Sequence, residues 1–346
     1  MIVKEFRQMR RDRRTLAMMV VLPMLLLVVF GYAASFDVTA IPTRVVGDRA
    51  AAVAEQLPPP FEVRAVAPAE GRPEAVRSLR DGVVPVVIVA GASGVTVLLD
   101  GAELFTANAA RAALARTDGT ARIEVLFNPD LRTSAVMVPG LAGMILLFVG
   151  TVITSLGVVR ERQSGTLEQL AVMPLRPRDV FFGKITPYFL VAAVDLTVVV
   201  AAGTLLFGVP FHGSLLVLAL GALLFLFVTL GTGVLISSVS QNQGQAIQLA
   251  MMTLLPQVLL SGLIFPLRSM PVGVRWIGYL LPLTYFTQIS RGVMLRGAPI
   301  TALWQPFLYL TLLGVAVVTF ATLRFRAFLS PQGTRRSPAV AAGAEP

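Results

Sequence analysis

Cysteine is absent from this chain of 346 residues, and histidine occurs once, as His212. A chain without cysteine has no disulfide scaffold, no thiolate metal site and no cysteine nucleophile. A lone histidine also excludes metal clusters built on several histidines. We therefore predict no catalytic residue and no metal site.

Charged residues are scarce too, at 14% of the chain, whereas 55% of the residues are hydrophobic. The mean hydropathy is +0.76. A soluble domain has a smaller apolar share and a larger charged share, so this composition predicts a membrane protein. The net charge of +10 does not indicate a nucleic-acid partner, because the basic residues form no patch interleaved with aromatic residues.

Six apolar runs are long enough to cross the roughly 30 Å of hydrocarbon in a bilayer. They predict a multi-pass α-helical membrane protein with six transmembrane helices, at residues 16–34, 136–159, 185–207, 215–236, 246–265 and 303–323. Residues 1–15 are basic and amphipathic, which favours an interfacial helix. The first run could also be read as a signal peptide, but its length and the later runs favour an uncleaved anchor.

Lysine and arginine give the predicted orientation. Fifteen of them fall in residues 1–15, 160–184 and 324–346, against four in the short segments 208–214 and 266–302. Because cytoplasmic loops are enriched in these residues, we expect a cell (inner) membrane protein with both termini and the 160–184 loop in the cytoplasm. We expect the 324–346 tail to be disordered.

The outer segment 266–302 is too long for a plain turn and too broken by proline to cross the bilayer. It predicts a re-entrant or interfacial hairpin. Aromatic residues are enriched at the membrane interface, so we expect Trp276, Tyr279 and Tyr285 at the level of the lipid headgroups.

Residues 36–135, between the first two spans, have a different composition, with ten arginines and twelve acidic residues. They predict a small extracytoplasmic α/β domain. The expected strands are residues 43–47, 61–67, 84–90, 95–99 and 122–127, and the expected helices are 50–57, 73–81 and 102–116. No motif in this domain indicates chemistry, so we expect it to gate, to capture substrate or to dock an outer partner.

A polar segment at residues 160–177 separates the second and third spans. Thr166 and Gln169 have the spacing of a capping box, which predicts a helix that begins near Leu167 and ends before Pro174. About two turns of helix are marginal in water without a partner. We interpret this helix as one that binds in a groove of another protein. The alternative is a capped turn that only joins two membrane helices.

Several residues within the spans are candidates for packing or transport. Gly143, Gly150 and Gly157 recur every seven residues and predict close helix packing. Asp195, within the third span, is either a functional ionisable group or a hydrogen-bonded helix contact. Partly polar and adaptable side chains in the fifth span suit an amphiphilic substrate, and with Asp195 they form the candidate pathway: Gln248, Met251, Met252 and Gln257.

Five segments carry a resemblance to a known family. They are the opening KEFRQMRRDRRTLAMMVVLPMLLLVVFGYA, Asn128-Pro129 followed by VPGLAG, the loop RERQSGTLEQLAVMPLRP, the run LLSGLIFPLRSMP and the run LPLTYFTQISRG. In this order they resemble the permease subunits of type-2 ATP-binding-cassette (ABC) exporters. The similarity is to the branch with a large extracytoplasmic domain between the first two spans.

The resemblance implies two permease copies, or one copy with a sister permease, and two copies of a separate ABC ATPase. ATP and Mg would then be bound by the partner and no cofactor by this chain, which contains no GxxxxGK[ST] loop. A periplasmic adaptor is a further candidate partner. The implied ATPase-coupling residues are Phe6, Arg7, Arg10, Glu161, Gly165, Thr166, Leu167, Glu168, Leu170 and Pro174.

Our hypothesis is therefore a membrane permease that exports an amphiphilic substrate, such as a drug, a lipid or a lipid-linked glycan, and is not itself an enzyme. The substrate would pass a dimer interface lined by spans one, two and five. Two alternatives are a membrane-anchored sensor or scaffold with an outer ligand-binding domain, and a secondary transporter driven by protons at Asp195. An inverted repeat would favour the last alternative, and the sequence has none.

Overall fold

The computed structural model describes residues 40–92, 94–116, 121–164 and 177–329, together with Val38 and seven helical residues between positions 17 and 31. The predicted interfacial helix at 1–15 and residues 165–176 lie outside the described residues. So does most of the first predicted span.

The described residues before position 127 form one sheet of five strands in the order β2-β1-β3-β4-β5. Strands β3 and β4 form an antiparallel hairpin, and the other neighbours are parallel. Each predicted strand and helix overlaps an observed one. The strands are β1 Ile41–Val46, β2 Phe61–Ala67, β3 Val86–Gly91, β4 Gly94–Asp100 and β5 Arg122–Leu126, and the helices are α1 Ala50–Glu55, α2 Arg72–Arg80 and α3 Leu104–Leu114.

The central strand β3 is buried on both faces of the sheet, since successive side chains of a strand point to opposite faces. On one face Val86 and Ile88 pack with α1 and α3. On the other face Val87 packs with α2, and Leu79 of α2 is fully buried there. This strand is therefore a continuous apolar run, as in a sheet covered on both sides, whereas β2 is mostly exposed.

A buried asparagine connects the sheet to the first long helix. Asn128 donates from Nδ2 to the backbone oxygens of Gly101 and Arg132, and its Oδ1 accepts from the Arg132 N–H at 3.0 Å. Helix α4 begins at Thr133, immediately after this turn. The start of α4 is thus held against the end of β4.

Helices account for most of the described residues after position 132. They are α4 Thr133–Phe148, a π-helical segment Val149–Ile153, α5 Thr154–Gln163, α6 Pro177–Leu205, α7 Leu215–Val239, α8 Gln243–Leu260, a 3-10 turn Leu267–Ser269, α9 Val272–Tyr279, α10 Pro282–Met294 and α11 Trp304–Leu329. Among the described residues, four helical stretches are long and apolar enough to cross a membrane: Thr133–Glu161, Thr186–Leu205, Leu215–Val239 and Trp304–Arg324.

The predicted fifth span, residues 246–265, overlaps an observed helix but differs from it in its bounds. Helix α8 is displaced to Gln243–Leu260 and is not among those four stretches. Its end is set by Gly262, whose φ of +84° is a left-handed conformation that commonly terminates a helix. Four glutamines lower its hydropathy.

Two loop boundaries also differ from the prediction. The 160–184 loop is helical at both ends, because α5 continues to Gln163 and α6 begins at Pro177, where proline is favoured as a first helical residue. The 324–346 tail begins within α11, which extends to Leu329.

The segment at 266–302 folds into α9 and α10, and its aromatic residues are not equivalent. Trp276 is 66% exposed and Tyr279 42%, whereas Tyr285 is 6% exposed, with its ring stacked on Tyr309. That all three lie at the headgroup level stays a prediction. Helix α10 belongs to the main apolar core, where Phe286 stacks on Phe225 with ring centroids 4.8 Å apart.

Candidate functional site

One continuous helical path, α4 with the π-helical segment and α5, runs from the sheet to the polar loop. In the most apolar part of Thr133–Glu161, 67% of the residues are buried by the rest of the chain. In the corresponding part of Thr186–Leu205 the buried share is 11%. The path is thus a central element of the helical part, whereas α6 presents most of its surface outward.

The three candidate packing glycines lie along this path and face three different helices. A Cβ on Gly143 would lie 2.6 Å from the Phe286 ring of α10, one on Gly150 would clash with Thr229 of α7, and one on Gly157 would clash with the Tyr188 hydroxyl of α6. Gly150 lies in the π-helical segment, and such segments change the helical register. The glycines pack within one chain.

At its far end the path reaches the candidate coupling loop. Glu161 is in the last turn of α5, and Gln163 accepts a hydrogen bond from Gln243 Nε2 of α8 at 3.1 Å. This contact connects the end of α5 to the start of α8. The other coupling candidates lie outside the described residues: Phe6, Arg7, Arg10, Gly165, Thr166, Leu167, Glu168, Leu170 and Pro174.

The candidate pathway residues lie on two helices. Asp195 is half-buried on α6, which packs mainly on α4. Gln248 and Met252 are half-buried on α8, and Gln257 is 3% exposed. Among the residues that the structure describes, the Oε1 atoms of both Gln248 and Gln257 are buried without a hydrogen-bond partner.

A cluster that the sequence did not single out lies where the sheet meets the helices. Asp100, at the end of β4, is 1% exposed, and its Oδ2 lies 3.4 Å from Nε of Arg296. Its Oδ1 accepts from the Ala102 N–H at 2.9 Å. Burial raises the pKa of Asp100 from 3.8 to about 6, although Arg296 opposes the shift.

Arg291 of α10 lies beside this pair. Its guanidinium donates to the backbone oxygens of Val136, Gly262 and Leu263 at 3.1 to 3.2 Å. It therefore ties the start of α4 and the turn after α8 to α10. The sequence shows an arginine at this position but does not indicate which distant backbone oxygens it contacts.

Comparison with known proteins gives the family. The family described as "ABC-2 family transporter protein" matches residues 13–323. The "Probable multidrug ABC transporter permease YbhS" of Escherichia coli K12 is 29% identical over 331 residues, which cover 85% of this chain and 87% of YbhS. The "Probable multidrug ABC transporter permease YbhR" of the same organism is 35% identical over 188 residues, 54% of this chain and 51% of YbhR.

A more distant relative, "ABC transporter G family member 20" of Dictyostelium discoideum, is 29% identical over 183 residues, 52% of this chain and 25% of that protein. The apolar helices and these matches define an integral membrane protein. The chain belongs to the ABC-2 family of transporter proteins. It is a permease subunit of an ABC exporter and not an enzyme, and ATP is hydrolysed by a separate partner subunit.

Proposed function

We propose that this permease exports an amphiphilic substrate, such as a drug, a lipid or a lipid-linked glycan, from the cytoplasm or the inner leaflet. Two of its relatives carry the words multidrug ABC transporter permease in their names. The buried, unpartnered amide oxygens of Gln248 and Gln257, on the same helix as Met252, support a pathway with both polar and adaptable apolar contacts.

The proposed assembly contains two permease copies, or one copy and a sister permease, with two ATPase subunits that bind ATP and Mg. A periplasmic adaptor is a further proposed partner. In the cell inner membrane each permease would have six spans, formed by the four observed stretches, residues 16–34 and α8. Both termini and the coupling loop would be cytoplasmic, and the sheet at 36–135 extracytoplasmic.

The observation that carries this proposal is the continuous helix from Thr133 to Gln163. At about 1.5 Å per residue such a helix crosses the hydrocarbon layer, so the sheet and the 164–176 loop would lie on opposite sides. An ATPase that displaces the loop would then move a helix whose other end is held by Asn128. We propose that closure of the ATPase opens the pathway through this helix.

Export by the permease with its ATPase tests the coupling. The substitution Leu167→Asp places a charge on the proposed docking face and is expected to abolish ATP-dependent export of an amphiphilic dye from inverted vesicles. Gln169→Glu adds the same charge away from Leu167 and keeps a residue that the capping box accepts, so it is the matched control. Equal export by Leu167→Asp and the unsubstituted chain, at equal amounts in the membrane, would refute this coupling site.

A further inference from the structure

The sheet and the helices enclose a cavity of about 270 Å³ around the Asp100 and Arg296 pair. Its charged lining is divided between the two parts of the chain. The sheet side contributes Asp81, Asp100 and Glu103, and the helical side contributes Arg268, Arg291 and Arg296. The cavity therefore has an acidic wall facing a basic wall.

Each wall has one charged side chain that forms no ion pair within 4.0 Å among the described residues. Arg291 donates to three backbone oxygens, and Asp100 is paired with Arg296. Glu103 and Arg268 are in none of the ion pairs of the described ranges, although the charge of Glu103 acts on Arg291 from a longer distance. The Glu103 carboxylate and the Arg268 guanidinium can therefore each contact a ligand directly.

One buried polar atom in the cavity lining also has no hydrogen-bond partner among the described residues. It is Oγ of Ser261, in a residue that is 2% exposed. Nε of Arg296 makes no hydrogen bond within the same ranges, but it forms the ion pair with Asp100. A buried polar atom without a partner is costly, so Oγ of Ser261 indicates that a polar group occupies the cavity.

Charge selects the class of occupant. A simple anion would be attracted by the arginines but repelled by Glu103 and Asp100. A simple cation would be attracted by these two acidic residues but repelled by the arginines. A molecule with both charges can align across the gap and satisfy both walls. Leu104, Phe105 and Leu303 provide an apolar contact for the part between or beside its charged groups.

We propose that this cavity binds a zwitterion of the phosphoethanolamine type, with its anionic group on Arg268 and its ammonium group on Glu103. The same chemistry occurs in a free solute and in a phospholipid headgroup. This site is distinct from the proposed substrate pathway on α8, so its loss would not by itself remove the transport function.

Binding is tested on the full chain in two forms. Calorimetry in detergent uses O-phosphoethanolamine, with inorganic phosphate and ethanolamine as single-charge controls. Native mass spectrometry after reconstitution uses phosphatidylethanolamine against phosphatidylglycerol. We expect O-phosphoethanolamine to bind more tightly than phosphate or ethanolamine, or phosphatidylethanolamine to bind more tightly than phosphatidylglycerol. Binding of O-phosphoethanolamine would identify the ligand as a free zwitterion. Binding of phosphatidylethanolamine alone would identify it as a lipid headgroup.

Glu103→Gln and Arg268→Gln each remove one charge, and each is expected to weaken binding about tenfold or more, the effect of losing one charge-assisted contact. Arg64→Gln, on the exposed β2 strand, is the control and should bind as the unsubstituted chain does. Failure of both zwitterionic probes to bind, equal affinity for phosphate alone, or full binding by both cavity variants would overturn the proposal and leave a water-filled cavity.

Discussion

Arg291 donates from Nε to the backbone oxygen of Val136 at 3.1 Å, across 155 positions of the chain. The contact joins helix α10 to the first turn of α4. Helix α4 continues through the π-helical segment into α5. The Arg291 contact therefore fixes the sheet end of this continuous helix, which we propose transmits the ATPase movement.

Replacing Arg291 tests how far this contact stabilises the helical part. Arg291→Ala leaves the oxygens of Val136, Gly262 and Leu263 without their donor, at a cost of about 1–3 kcal/mol for each buried group left unpaired. We expect a clear drop in the midpoint of thermal unfolding in detergent. Arg291→Lys keeps the charge but not the forked donor geometry, and should recover only part of the loss.

Arg64→Ala, which removes an exposed arginine, is the control and should change the midpoint little. An Arg291→Ala protein as stable as the Arg64→Ala protein would show that the three contacts are unimportant.

Gly233 of α7 is the point of closest approach to the central helix. A Cβ there would lie 2.8 Å from the oxygen of Gly150 and 2.9 Å from that of Thr151. Since the obstacle is backbone, Gly233→Ala is expected to separate α7 from the π-helical segment and to cost about 1–3 kcal/mol, as overpacking does.

Gly314→Ala is the matched control for this substitution, because its Cβ would meet its nearest neighbour at an ordinary 3.6 Å. It should be neutral or stabilising, since alanine is the better helix former. Equal unfolding midpoints for the two alanine variants would contradict the close packing at Gly233.

The pH dependence of stability tests the burial of Asp100. Its pKa is raised from 3.8 to about 6 in the folded chain, so the folded chain holds this proton more tightly than the unfolded chain. The contribution to stability is complete below pH 3.8 and is lost as the pH rises through 6. The loss is about 3 kcal/mol over the whole range, of which about 1.4 kcal/mol falls between pH 5 and pH 8.

Asp100→Asn removes this titration, so its unfolding midpoint should fall less between pH 5 and pH 8 than that of the unsubstituted chain. Asp130→Asn, at an exposed aspartate, should keep the original pH dependence. If the Asp100→Asn protein loses as much stability as the unsubstituted chain, Asp100 does not titrate in this range.

Asp195 separates the two transport mechanisms. In an exporter driven by its ATPase, Asp195→Asn should leave ATP-dependent export intact, because the substitution keeps the size of the side chain and replaces its carboxyl group by an amide. In a transporter driven by protons, the same substitution would abolish transport. Dye export with ATP and without a proton gradient distinguishes these outcomes.

The sequence predicted the elements that depend on local pattern. The run at Val86–Gly91 is rich in β-branched residues, and it forms a strand buried on both faces. The sequence did not reveal what depends on distant partners. Nothing near Arg291 in the chain indicates that its guanidinium meets Val136 and Gly262, and the end of α8 depends on the backbone conformation of Gly262 rather than on hydropathy.

The sidedness of the two ends of the central helix tests the account most directly. Because the chain has no cysteine, a single cysteine reports its own exposure to a membrane-impermeant maleimide. Ala51→Cys, at an exposed position of α1, and Ser164→Cys, at the exposed end of α5, sample the two ends. We predict that Ala51→Cys is labelled in intact spheroplasts and Ser164→Cys only in inverted vesicles; labelling of both from the same side would contradict the account.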